Sequence, residues 1–284
     1  LTLTTTCCQI DLKKLFQGGF ENAHGAVREP RSITSYAALA QIAIQCNQND
    51  QHGGQSIPNF DYGMALGVAK TFRKAYTNKL TEGLEDFLDT EDEKDNVTKI
   101  LADVKEATGM SPRLETDAEK FDAAVSEQIT KKYNIPQEKA AHLVEVARRR
   151  ANRKADRDTY QAMEGFVHNL NTMHSRAGAQ TPFSSINYGT DTTPEGRMVI
   201  RNILLATDAG LGHGETCIFP IHVFKVKEGV NYNEGDPNYD LFKLSCKVSA
   251  KRLFPNYIFL DAPFNLQYYK PCLLYTSDAA DDLI

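Results

Sequence analysis

The chain has 284 residues, of which 24% are charged and 41% hydrophobic, and it carries a formal net charge of −5. These values indicate a globular protein with one large or two ordinary domains, and the acidic balance argues against a nucleic-acid-binding surface. No apolar run approaches the ~20 residues that a membrane helix needs. The six cysteines include no Cys-x-x-Cys pair, so we expect neither a disulfide framework nor a metal site, but reduced thiols in the cytoplasm.

The first segment reads as a strand that carries two adjacent cysteines. Residues 3–12 are rich in Thr, Cys and Ile, and Cys7 and Cys8 lie at the middle of the segment. Because side chains alternate between the faces of a strand, only one of the two thiols can face a given side. The chain starts without Met and without a basic leader, so we expect no signal peptide and an internal piece of a longer protein.

A helix and a glycine-rich turn follow this strand. Ser32 has the chemistry of an N-cap for a helix over residues 32–47, and the small residues of this helix allow a partner helix to approach closely. In the next polar cluster, adjacent glycines let the backbone approach a ligand, while His and Gln supply directional hydrogen bonds. A simple turn is the alternative interpretation. The candidate site residues of this cluster are His52, Gly53, Gly54 and Gln55.

Residues 64–173 read as a long helical segment. They contain four amphipathic stripes with helical spacing, separated in part by an acidic stretch at residues 89–95. Within this segment the run Arg148-Arg149-Arg150 is interpreted as a solvated helix face, and phosphate binding is the weaker alternative.

After residue 180 the pattern changes to strands that alternate with helices. Crossover connections of this length imply mostly parallel pairing and therefore an α/β fold. The expected strands and helices cover residues 181–188, 194–209, 217–226, 240–253 and 257–260.

The first of these strands contains three polar side chains, Ser184, Ser185 and Asn187. A buried hydroxyl or amide without a hydrogen bond costs about 1–3 kcal/mol. The strand therefore either exposes one face to solvent or lines a polar cavity, and the pattern alone leaves both open.

Five long segments, which occur in a fixed order, resemble one known family. They are LTLTTTCCQIDLKKLF, IQCNQNDQHGGQSIPNFDY, MHSRAGAQTPFSSINYGTDTTPEGR, GETCIFPIHVFKVKEG and DPNYDLFKLSCKVSAKRLFPNYIFLDAPFNLQYY. The chain is similar to the anaerobic, class III ribonucleoside-triphosphate reductases, which are glycyl radical enzymes. The resemblance implies the first half of a ten-stranded α/β barrel over residues 1–271, with the helical segment 64–173 inside it. Residues 272–284 resemble a translated sequencing adapter and not the family.

The resemblance also implies roles for individual residues. Cys8 or Cys7 would be an auxiliary cysteine beside the substrate, with Cys8 favoured. Helix 32–47 would form a homodimer, and Glu29, just before it, would belong to an allosteric nucleotide site. The substrate-binding residues would be His52, Gly53, Gly54, Gln55, Ser184, Ser185 and Asn187.

In that family, ribonucleoside triphosphates are reduced to deoxyribonucleoside triphosphates for DNA synthesis, under control of nucleotide effectors. An iron–sulfur activase that uses S-adenosylmethionine installs a glycyl radical, which generates a cysteine thiyl radical. Formate or a thioredoxin-type protein supplies the electrons. The thiyl cysteine, the radical glycine and the family's structural zinc module have no counterpart among these 284 residues. We therefore expect the isolated chain to be inactive.

Two alternatives remain open at this point. Another glycyl radical enzyme, such as a formate acetyltransferase relative, would carry two adjacent cysteines in its finger loop. A non-catalytic nucleotide-binding or scaffold protein would carry neither a cysteine loop nor a glycyl motif. No nucleic acid or membrane is expected among the partners.

Overall fold

The computed structural model describes residues 7–22, 25–51, 53–115, 117–174, 180–266, 269–270 and 273–274. The strands are β1 Cys8–Gln9, β2 Phe20–Asn22, β3 Gly25–Val27, β4 Gln55–Ile57, β5 Ser184–Tyr188, β6 Ile221–Val226, β7 Asn256–Phe259, β8 Tyr269–Lys270 and β9 Leu273–Leu274. The helices are α1 Leu12–Phe16, α2 Ile33–Asp50, α3 Phe60–Leu88, α4 Lys94–Thr108, α5 Ala118–Tyr133, α6 Gln137–Thr172, α7 Pro194–Ala209, α8 Tyr239–Arg252 and α9 Pro263–Leu266.

The chain forms two compact units, one of residues 1–68 and 159–284 and the other of residues 69–158. The first unit is built on a parallel sheet with the strand order β1-β4-β5-β6-β7, which is the order of these strands along the chain. When successive parallel strands advance in one direction, right-handed crossovers place all connecting helices on the same face. The predicted α/β class with a parallel sheet and a large helical insertion is confirmed, and the strand order is consistent with part of a barrel.

Contacts between helices and strands show which face the helices cover. Asn47 of α2 donates a hydrogen bond to the Gln55 side chain on β4. On β6, the Phe224 ring packs against Phe242 of α8, with ring centroids 6.1 Å apart. We call the side of the sheet that carries these contacts the helix face, and the opposite side the inner face.

The ends of several elements have local causes that the sequence pattern did not give. Asp11 ends the first strand early because its carboxylate accepts from the Lys13 N–H at 3.1 Å and caps α1.

Residues 217–220 are not part of β6, contrary to the prediction. Pro220 has no N–H for a sheet ladder, and the N–H groups of Ile218 and Phe219 donate to the Asn171 side chain instead. The predicted N-cap is confirmed, since Ser32 Oγ accepts from the Ser35 N–H at 3.3 Å.

The second unit is a helical assembly around an aromatic cluster and one ion pair. The Arg148 guanidinium lies over the rings of Phe72 and Tyr76, at 5.6 and 5.3 Å from their centroids, and pairs with the Asp122 carboxylate. Tyr76 donates to the same carboxylate at 2.9 Å. The solvated-face interpretation of the arginine run is therefore wrong for Arg148, although Arg149 and Arg150 are exposed.

We predict that Asp122→Ala destabilises the helical unit by about 3 kcal/mol, because it leaves the largely buried Arg148 charge without its partner. Urea unfolding followed by circular dichroism measures the loss. Asp103→Ala, at an exposed site on α4, is the matched control and should change the unfolding free energy by less than about 0.5 kcal/mol. Equal effects of the two substitutions would contradict a structural role for the ion pair.

Candidate functional site

The strand register sorts the polar residues of the sheet onto its two faces. Paired residues of parallel strands point to the same side, and neighbours along one strand point to opposite sides. Tyr188 pairs with Phe224 and therefore lies on the helix face, where its hydroxyl contacts His222 Nδ1 at 3.1 Å. The polar side chains of the inner face on β4, β5 and β6 are at most 2% exposed; they are Ser56, Ser185, Asn187 and Lys225.

All five residues of β5 are buried, so the half-exposed interpretation of this strand is excluded. Its three polar residues lie on two different faces of the sheet. Ser184 pairs with Gln55 on the helix face, and its hydroxyl donates to the Pro182 carbonyl at 3.3 Å. Ser185 and Asn187 lie on the inner face.

Of the two candidate cysteines, Cys8 lies in β1 and Cys7 immediately precedes it. Cys8 pairs with Gln55 and lines a cavity of about 570 Å³ together with Ala43, Cys46 and Asn47 of α2. It therefore belongs to the helix face. Cys7 is exposed and immediately precedes β1, so continued alternation from Cys8 would direct its side chain to the inner face.

Gln55 of the glycine cluster begins β4, and Gly54 precedes it. The Gly54 carbonyl accepts from the Cys8 N–H at 3.1 Å, and Gln55 accepts from Asn47 while its Nε2 has no hydrogen-bond partner among the described residues. Gly53 is exposed with φ +96°, a conformation that glycine adopts without strain. His52 lies outside the described residues.

Glu29 lies just before α2, the helix for which the sequence analysis expects a homodimer contact. Its carboxylate accepts from the Gly18 N–H at 3.3 Å. Together with Arg28, Arg31 and Ala38 it lines a cavity of about 300 Å³ at the start of α2. The two arginines could pair with phosphate oxygens.

A set of side chains that the sequence analysis missed surrounds the carboxyl end of β5. The buried Asp61 carboxylate accepts three successive backbone N–H groups, those of Gly189 at 2.9 Å and of Thr190 and Asp191 at 3.1 Å. Residues 189–191 are called the β5 loop below. Asp61 lies at the start of α3, so this carboxylate ties the end of β4 to the end of β5.

The carbonyl groups of the β5 loop are also bonded by side chains. Asn231 and Asn238 both donate to the Gly189 oxygen, at 2.9 and 3.1 Å, and Asn238 donates to the third carbonyl of the loop at 2.9 Å. The Tyr62 hydroxyl donates to the second at 3.1 Å. Every backbone N–H and C=O of the loop is therefore held by a side chain from another element.

Lys225 is a buried cation that contacts the same network. Its ammonium donates to the Pro58 carbonyl, at the junction of β4 and α3, and its own carbonyl accepts from Asn231 at 2.8 Å. The ends of β4, β5 and β6 are thus joined by polar contacts. The sequence offered one signal for them, namely Asp and Asn residues soon after predicted strands, but it does not show which of these residues meet.

Asp191 is held in an acidic, buried environment. It is 2% exposed, and its carboxylate accepts from the Thr193 N–H at 2.9 Å. Burial, with the Asp61 carboxylate as a second cause, raises the pKa of Asp191 to about 6. This carboxyl group therefore changes its charge near neutral pH.

Comparison with known proteins assigns the chain. Residues 1–278 match the family model described as anaerobic ribonucleoside-triphosphate reductase. The chain belongs to this family. Anaerobic ribonucleoside-triphosphate reductases of Enterobacteria phage T4 and Escherichia coli (strain K12) are 30% and 27% identical to it over 256 and 257 residues. The Salmonella typhimurium enzyme is 31% identical over 257 residues.

The match covers most of this chain but a small part of each reductase. It covers 89% of this chain and 32% of the phage T4 protein, and 90% and 27% for the Escherichia coli protein. The chain thus spans about a third or less of these curated reductases. The family match ends inside the segment for which an adapter origin is predicted, and that origin stays a prediction.

Solved structures with similar folds include the Thermotoga maritima anaerobic ribonucleotide reductase in complex with dATP and CTP. The TM-score is 0.48 at 11% identity, over 92% of this chain and 34% of that chain. Similarity at this level adds nothing to the family assignment.

No group of three or more His, Cys, Asp or Glu side chains in the described part of the chain could hold a metal ion. None of its described helices combines the length and apolarity that a membrane span requires.

We predict that Asp191→Asn flattens the pH dependence of the stability of this chain. The folded-state pKa of about 6 lies above the ordinary value of 3.8, so the stabilising protonated form is complete at low pH and is lost as the pH rises through 6. Relative to the Asn variant, the wild type should lose about 2 to 3 kcal/mol between about pH 4 and pH 7.

Urea unfolding of both proteins across this range measures the difference. Asp86→Asn, on an exposed helix surface, is the control and should follow the wild-type profile. A constant difference between wild type and Asp191→Asn at all pH values would show that Asp191 does not titrate in this range.

Proposed function

We propose that the complete protein to which this chain belongs reduces ribonucleoside triphosphates to deoxyribonucleoside triphosphates by glycyl and thiyl radical chemistry. The observation that carries this proposal is the family match over residues 1–278. The buried polar residues of the inner face add support, because parallel α/β barrels bind substrates inside the barrel mouth and at the carboxyl ends of its strands. The reaction would occur in the cytoplasm, where nucleotides for DNA synthesis are made.

In this proposal the chain forms one wall of the barrel. Ser185 and Asn187 would hold the substrate sugar, and the closed wall would exclude water from it. A thiyl cysteine elsewhere in the protein would supply the radical chemistry, after an iron–sulfur activase has generated the glycyl radical. Electrons would come from formate or from a thioredoxin-type protein. The isolated chain would have no activity.

Cys7 suits the role of auxiliary cysteine better than Cys8, which the sequence analysis favoured. By alternation from Cys8, Cys7 would share the inner face with Ser185 and Asn187, whereas Cys8 lies on the helix face. A thiol on the inner face can move a proton to the 2′ hydroxyl that leaves the ribose.

We predict that Cys7→Ala in the complete enzyme lowers turnover by about 100-fold or more, because it removes a proton-transferring thiol from the substrate side. The glycyl radical signal in electron paramagnetic resonance should stay at the wild-type level. Cys8→Ala is the matched control, one position along the strand, and should keep turnover within a few-fold. The opposite pattern would assign the role to Cys8.

The proposed reaction is tested by expressing the complete coding sequence with its activase under anaerobic conditions. Conversion of a ribonucleoside triphosphate to its deoxy form, followed by chromatography, is the expected result. Cleavage of pyruvate with formate release, and no deoxynucleotide, would favour a formate acetyltransferase-like enzyme. Nucleotide binding without any glycyl radical would favour a non-catalytic protein.

We also propose that α2 forms the homodimer contact and that nucleotide effectors bind beside it, at Glu29. The side chains of Thr34, Ala38 and Ile42 recur every four residues and form an exposed stripe along α2. Small and apolar residues in such a stripe favour close packing of two helices. Ala38 also lines the cavity that contains Glu29, so an effector there would contact the dimer helix.

We predict that Ile42→Glu weakens the dimer on the order of 100-fold or more, because it buries an unpaired carboxylate in the helix contact. Analytical ultracentrifugation of the complete enzyme, with and without nucleotide effectors, measures the dissociation constant. The variant should also lose its response to effectors. Met173→Glu, at a similarly exposed apolar residue, is the control and should leave the dimer intact. An unchanged dimer in Ile42→Glu would refute the contact.

A further inference from the structure

The β5 loop leaves one polar side-chain group unused. Its backbone is fully bonded by Asp61, Tyr62, Asn231 and Asn238. Thr190, the middle residue, is the one member of the loop that is not buried. Its hydroxyl has no hydrogen-bond partner among the described residues.

The position of Thr190 suits contact with a ligand. It lies two residues beyond β5, the central strand of the sheet, at the carboxyl edge where open and closed parallel sheets bind their ligands. Asn187, on the inner face, lies three residues earlier in the chain. A loop that is fixed before the ligand arrives loses little freedom on binding, so its contacts are efficient.

The charges around the loop indicate which part of a nucleotide it meets. Asp61, Asp191 and Glu195 are buried near the loop, and Lys225 is the buried cation of the same network. This excess of acidic groups disfavours a triphosphate. A neutral hydroxyl that both donates and accepts matches the hydroxyl groups of a ribose instead.

We propose that Thr190 contacts the ribose of the ribonucleoside triphosphate, and that Asp61 is the positioning residue that holds Thr190 in place. The inference rests on the proposed reductase function and adds a specificity residue to it. The Thr190 hydroxyl bonds a ribose hydroxyl, and the β5 loop presents it without rearrangement.

The first test uses the complete enzyme and equilibrium binding of a ribonucleoside triphosphate, with inorganic triphosphate as a competing ligand. Thr190→Val keeps the shape of the side chain and should weaken ribonucleotide binding roughly tenfold, while the affinity for inorganic triphosphate stays constant. Thr190→Ser should restore most of the binding. Thr192→Val, at an exposed threonine two residues further on, is the matched control and should bind as the wild type does.

Each other outcome of this test is decisive. Unchanged ribonucleotide binding by Thr190→Val would overturn the contact. An equal loss for ribonucleotide and inorganic triphosphate would overturn the assignment to the ribose. If the wild type reduces ribonucleotides and Thr190→Val binds them as the wild type does, the Thr190 contact is wrong and the proposed function stands. If the wild type does not bind ribonucleotides, the proposed function is wrong as well.

The second test concerns Asp61 and does not depend on activity. A neutral amide accepts hydrogen bonds more weakly than a carboxylate, so Asp61→Asn should speed amide hydrogen exchange in the β5 loop at least tenfold. In this background the effect of Thr190→Val on binding should shrink to less than about threefold, because the hydroxyl is no longer held.

Asn238→Ser is a milder second variant, in case Asp61→Asn does not fold, and it should act in the same direction. Fast exchange combined with an undiminished effect of Thr190→Val would show that the loop contacts do not position the hydroxyl.

Discussion

One buried carboxylate fixes the carboxyl edge of the sheet. Asp61 is fully buried, and an ionised carboxylate is tolerated there only when hydrogen bonds replace its water. Three successive N–H groups of the β5 loop do so. They can converge on one oxygen because Gly189 has φ +124°, and a side chain at this position would bring its Cβ within 2.9 Å of the Lys225 carbonyl oxygen. The loop conformation and the burial of Asp61 therefore depend on each other.

The same constraint extends to the remaining strand ends. Because Asp61 holds the N–H groups of the loop, its carbonyl groups are presented to Asn231 and Asn238, which lie between β6 and α8. Lys225 closes the network by donating to the Pro58 carbonyl beside β4. Burial of this region, with the carboxylates of Asp61 and Glu195 as further causes, raises the pKa of Asp191. The carboxyl edge of the sheet is acidic because a buried carboxylate holds its backbone in place. An acidic edge favours contact with the ribose of a nucleotide over contact with its phosphates.

The sequence predicts this architecture well and its contacts poorly. The helix start at Ser32 follows from local capping chemistry, and the parallel sheet follows from alternating strand and helix patterns. The bonds of Asp61 to the β5 loop join residues 128 to 130 positions apart, so no local pattern contains them. The prediction of a solvated face at Arg148 was wrong for the same reason, because its partner Asp122 lies on another helix. These sites are formed by side chains that are far apart in the chain, and a single sequence does not show which of them come into contact.

The strand register determines which side chains lie on each face of the sheet. Cys8, Gln55 and Ser184 lie on the helix face, and a shift of one position would exchange them with their neighbours on the inner face. What prevents the shift is the bonded edge, since moving β5 by one residue would withdraw the loop amides from Asp61 and leave its buried charge unsatisfied. The polar loop contacts at the carboxyl edge therefore also determine which hydroxyl and amide groups lie on the inner face of the sheet.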